Sequence, residues 1–272
     1  MSTASTATST TTPTSTSTAR TLRFAAFDLR RLTSDWAMLF FSMVLPVVFY
    51  LVFGAAMGYG DEPAGHGNVR AYVMMGMALY AGITGAVAAA GNVVVESDTG
   101  WGRQLALTPL TSGQLLFSNI VAITVRATLP VLAVYAVGVL TGAQMPATAW
   151  VAGIVLSAVC AVPFGFYGMI WSLLSPTQTS VSIAGTSVVV LSFLGNMFMP
   201  MPELMLAIGR FTPLYGAGAL ARWPLTEGEQ QVSYGEGTTV DPMWWAVLNV
   251  VVWALIFVAV VLALRRREKG RR

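Results

Sequence analysis

Charged side chains make up only 10% of this 272-residue chain, and several stretches of twenty or more residues carry none. Such stretches have no polar face to offer to water, which excludes a soluble globular fold. Lysine occurs once, at Lys269 behind Glu268. A phosphate-cradling P-loop needs glycine-rich backbone followed by Lys and Ser or Thr, so the sequence contains no ATPase of that class. His66, in "DEPAGHGN", is the lone histidine and Cys160 the lone cysteine. A zinc centre takes three or four Cys, His or carboxylate ligands, and a single thiol makes no intrachain disulfide. No metal or other cofactor is expected, and Cys160 reads as a small buried hydrophobe.

What is present is apolar: 55% of the residues are hydrophobic and the mean hydropathy is +0.67. The pattern is that of an all-α integral membrane protein. A bilayer core of roughly 30 Å takes about 20 apolar residues per helix. Six stretches meet or approach that length, near 37–58, 71–95, 114–140, 148–174, 179–199 and 243–264. The stretch 200–222, "PMPELMLAIGRFTPLYGAGALAR", is apolar but broken by Pro and Gly, which predicts a re-entrant or interfacial hairpin before the sixth span.

The basic residues sit at the ends, so the pI near 9.2 is a topology signal and not a sign of nucleic-acid binding. Arg20, Arg23, Arg30 and Arg31 precede the first stretch, and Arg265, Arg266, Arg267, Lys269, Arg271 and Arg272 follow the last. Both termini are therefore predicted to be cytoplasmic, in a multi-pass protein of the cell membrane. Residues 1–19 form a Ser/Thr-rich tail too polar to order itself, 20–264 the transmembrane domain, and 265–272 a basic tail. The start of the chain lacks the basic and short apolar pattern of a secretory signal, so no cleavage is expected. "ARTLRFAAFDLRRLTSDW" carries Leu22, Ala25, Leu29 and Leu32 at helical spacing with the arginines mostly off that stripe. It predicts an amphipathic helix lying in the headgroup region, or a plain extension of the first span.

Between the second and third stretches lies a polar island, "ESDTGWGRQLALTPLT", residues 96–111. Acids are unfavourable at a helix C-terminus, so Glu96 and Asp98 predict that one helix has stopped and another begins. Asp98 or Thr99 is the candidate N-cap and Gly100 the tight entry. A short helix then runs from Trp101 to about Thr108, with Trp101 and Leu105 on one face beside Arg103. Pro109 ends it, and Thr111 with Gln114 has the spacing of a capping box that starts the third span. Such a helix fits either a protein partner or the lipid interface.

This island resembles the cytoplasmic coupling segment of ABC-2 type transporter permeases. Glu96, Gly100, Leu105, Thr108, Pro109 and Leu110 stand at matching positions, while Ser97 replaces the usual Arg and Trp101 the usual Thr. The resemblance extends from about residue 20 to 264. It implies the membrane half of an exporter, paired as a permease dimer, with a separate ABC ATP-binding subunit receiving the coupling helix. Glu96, Asp98, Gly100, Trp101, Arg103, Leu105 and Pro109 are then the residues of ATPase coupling. The chain itself is no enzyme, and the cargo is a small amphiphilic or hydrophobic compound such as a drug, antibiotic or lipid-like molecule. A non-transporting six-span scaffold, immunity or regulatory protein is the alternative.

Three smaller features complete the reading. Arg126 lies about a dozen residues, roughly 18 Å, into the third span. A charge at that depth is costly, and it either faces a translocation path or subunit interface or is satisfied by carbonyls, an Asn or water within the bundle. Ala81, Gly85 and Ala89 recur every four residues, a stripe that lets another helix approach closely. Ser187 in "GTS" has no His or acid nearby in sequence to activate it as a nucleophile.

Overall fold

The computed structural model describes residues 36–98, 100, 111–198, 201–232 and 237–269. The N-terminal tail, the expected interfacial helix and the core of the polar island, residues 101–110, lie outside these.

A thirty-residue helix, Val69–Asp98, is the axis of the fold, and we refer to it as α2. Its sequence is rich in Ala, Gly and Met, so its surface is narrow and neighbours can pack against it on every side. Its apolar length is almost wholly buried, whereas the other long helices expose most of theirs. It is preceded by α1, Trp36–Tyr50, which continues as a π-helical turn over Leu51–Ala55, and by a small ribbon of β1, Pro63–Ala64, and β2, Gly67–Asn68.

Helix α3, Ser112–Leu140, begins at the expected capping box: Thr111 accepts from the Gln114 amide and Gln114 accepts from the Thr111 amide. It runs antiparallel to α2. Gly82 and Gly85 of α2 lie against Ala127, Arg126 and Val131 of α3, and Gly138 of α3 lies against Met74. The stripe Ala81, Gly85 and Ala89 is thus a packing surface.

The next apolar stretch forms two helices, α4 over Ala147–Ala161 and α5 over Phe164–Leu174. By length and composition they make a single candidate span, Ala147–Leu174. The break falls at Pro163, whose ring cannot continue the hydrogen-bond ladder, and the backbone closes it with shorter bonds such as Gly165 to Val162. Gly153, Gly165 and Gly168 let this pair lie close along α2.

Helix α6, Gln178–Leu194, has seventeen residues, and the apolar stretch Ser42–Ala55 is similarly short. Then come α7, Glu203–Gly209, and α8, Pro213–Thr226, joined at an angle of 104°. This is the broken pair that Pro and Gly predict in 200–222. A second ribbon, β3 (Glu229–Gln231) with β4 (Thr238–Val240), leads to α9, Met243–Lys269, which extends past the expected end of the span at 264.

Among the described residues, four helices are long and apolar enough to cross a membrane, five if the bent pair counts as one. The outer faces of α3, α4 and α9 are apolar and exposed, with Leu116, Val151, Leu255 and Leu262 among their residues. This is the surface of a multi-pass membrane protein. The interior is filled by α2 and by a cluster of rings in which Phe198 packs edge-on against Phe49, Tyr80 and Phe193.

Candidate functional site

Helix α2 does not stop before the acids as the sequence predicts; it continues through Asp98. Neither Asp98 nor Glu96 is then outside the helix, and both lie in its last turn. Asp98 is exposed and Glu96 half-buried. Ser97 donates its hydroxyl to the carbonyls of Val93 and Val94 at 2.7 and 2.9 Å. The hydroxyl folds back along its own helix and shares carbonyls that the helical ladder already uses. Gly100 has φ +102°, a conformation that side-chain-bearing residues rarely adopt, so the chain turns sharply just beyond α2. Trp101, Arg103, Leu105 and Pro109 lie outside the described residues.

Arg126 lies near the middle of α3, with its backbone against Gly85. Its side chain is half-buried and has no hydrogen-bond or ion-pair partner among the described residues. No bundle carbonyl or Asn among them accepts from it. The position is about 20 Å along α2 from Asp98, so Arg126 lies well away from the polar end of that helix.

The opposite end of the bundle carries polar networks that sequence reasoning missed. Arg222, 1% exposed, lies at the C-terminal end of α8 with no carboxylate among its partners. Its guanidinium donates to the carbonyls of Tyr72 (3.2 Å), Asn196 (2.7 Å) and Met197 (2.9 Å) and to the Tyr72 hydroxyl (3.2 Å). It also lies over the Tyr72 ring, 4.0 Å from its centroid. A planar fork with five donors suits such divergent acceptors, where an ammonium would not. Gly76 leaves room for it, since a side chain there would meet the guanidinium.

The bend between α7 and α8 would strand backbone carbonyls in an apolar setting, at a cost unless they find donors. Helix α9 supplies them. Asn249 donates to Arg210 (2.9 Å) and Thr212 (3.1 Å), and the Trp253 indole donates to Phe211 (3.0 Å). Arg210 in turn pairs with the buried Asp241 at 2.9 Å, and Tyr215 donates to the same carboxylate. Arg210 and Asp241 thus fasten the bent pair to the chain entering α9.

Ser187 bonds the Ala184 carbonyl and the Tyr167 hydroxyl, which makes it a helix-packing residue. Cys160 is buried, as expected.

No family model matches the chain. Over 250 residues, 89% of this chain and 96% of the other, it is 22% identical to the Bacillus subtilis (strain 168) protein named "Putative transport permease YvfS". A helical multi-pass membrane protein whose innermost helix leads into a polar connection is thus a distant homologue, over nearly its full length, of a protein named as a transport permease.

Proposed function

We propose that this chain is the permease subunit of an ATP-driven exporter of the ABC-2 type. It moves an amphiphilic or hydrophobic compound outward and draws its energy from a separate ATP-binding subunit. The observation that carries this reading is the continuity of α2 with the polar segment 96–110. The most enclosed helix of the bundle emerges at one end as an acid-bearing turn and a left-handed glycine. A push on that segment is transmitted along a rigid rod of about 45 Å. The rod touches α1, α3, α4, α5, α6 and α8, so a small displacement repacks the whole bundle.

In this account the polar segment and both termini face the cytoplasm, and Trp101, Arg103 and Leu105 dock in the ATPase. Helices α1 and α6 complete six spans, their shorter apolar lengths met by local thinning of the bilayer. The α7–α8 pair is re-entrant from the other side. Two copies pair, Arg126 lines the path or the interface between them, and the chain catalyses nothing itself.

Reconstitution with the ATP-binding subunit tests this. Amphiphilic cargo is expected to stimulate ATP hydrolysis by the complex. A chain that recruits no ATP-hydrolysing partner is instead a scaffold, immunity or regulatory protein of the same frame.

A further inference from the structure

At the end of the bundle that carries Asp98 and Thr111, a cavity of about 300 Å³ lies between α2, α3, α5 and the last turns of α9. Its wall is apolar, built by Val93, Ile123, Phe166 and Met169, among others. Only two of its lining residues are polar, Asn119 and Arg265. Neither side chain has a hydrogen-bond or ion-pair partner among the described residues. Arg265 begins the run of three arginines that ends the span, so its guanidinium sits where an apolar helix meets the headgroup region.

We propose that this cavity binds an anionic amphiphile from the adjoining leaflet. Its chain lies against Ile123, Phe166 and Met169, and its carboxylate or phosphate lies against Arg265 and Asn119. A space of this size takes part of one acyl chain and not a whole lipid. Leu116 and Ile120 line the cavity and are 61% and 49% exposed on α3, so the rest of the chain can leave sideways into lipid. The charge fixes the class: a guanidinium beside an apolar wall matches an oxyanion on a hydrocarbon, while a neutral or cationic amphiphile leaves Arg265 unpaired. The site requires α9 to cross the membrane and is independent of ATPase coupling. Its ligand is either a resident phospholipid or a fatty-acid-like cargo.

The test is photocrosslinking from p-benzoylphenylalanine placed at Leu116 of the full chain. The vesicles are phosphatidylcholine with minor, equal amounts of palmitate and phosphatidylglycerol. Adducts of an anionic lipid are expected at on the order of fivefold above its share of the vesicle, the effect of one arginine at the interface. The adduct mass identifies the source, palmitate for a free amphiphile or phosphatidylglycerol for a membrane lipid. The enrichment is expected to vanish in Arg265→Gln and persist in Arg265→Lys, while the same probe at Leu255 on the lipid-facing side of α9 follows the bulk composition. Adducts at Leu116 that also follow the bulk, or that are indifferent to Arg265, overturn the proposal. So do adducts to the chain's own residues 20–33 or 99–110, which would make one of those segments the occupant.

Discussion

Gly85 of α2 lies so close to the backbone carbonyl of Arg126 on α3 that one added methyl group would overlap it. The obstruction is backbone on both sides and cannot swing away as a side chain would. Packing of the axial helix against α3 therefore depends on the absence of a Cβ at this one point.

Gly85→Ala is expected to lower stability by about 1–3 kcal/mol, the usual cost of overpacking, and Gly85→Val by more. Thermal unfolding in detergent measures this. Gly185, which has open space around it, is the control: Gly185→Ala leaves the melting temperature unchanged or raised.

Arg126→Leu is expected to leave stability within about 0.5 kcal/mol, or to raise it, because no described partner is lost. Cargo-stimulated ATP hydrolysis is expected to fall in the same variant. Loss of stability in place of activity would make Arg126 structural.

Arg222 answers in the opposite way. Arg222→Lys keeps the charge but cannot reach three divergent carbonyls, each costing about 1–3 kcal/mol if left unsatisfied. The lysine variant is expected to be nearly as unstable as Arg222→Met, whereas Tyr72→Phe, which removes a buried hydroxyl that accepts from Arg222 and Asn196 and donates to Gln230 but leaves the three carbonyls paired, costs about 1–3 kcal/mol.

Asn249→Leu preserves volume but removes both donors to the bend carbonyls of Arg210 and Thr212. A loss of about 2 kcal/mol or more is expected, concentrated locally. Hydrogen exchange reads it as faster exchange of 203–215 with α2 unchanged.

How much of this was legible in the sequence depends on the reach of each interaction. The Thr111–Gln114 capping box and the Ala81–Gly85–Ala89 stripe are local patterns, and both are found in the fold. The bend in 200–222 was legible because Pro and Gly break helices wherever they stand. The end of α2 lies three residues past the predicted 95, because the charge of Glu96 and Asp98 is a weak, terminal effect that does not stop a helix already propagating. The Arg222 cage was not legible, since its acceptors come from residues 72, 196 and 197, and only the tertiary fold brings them together. Nor was the pairing of Arg210 with Asp241, thirty-one residues apart.

The central claim is that the segment beyond α2 is where a separate motor pushes. Its most direct test is co-purification of the ATP-binding subunit with full-length Trp101→Asp and Leu105→Asp variants that insert normally and elute as the wild-type protein does. The account predicts that both variants lose the subunit, while Leu255→Asn, on the lipid-facing side of α9, keeps it. Normal retention of the subunit by both variants, with normal transport, would contradict it.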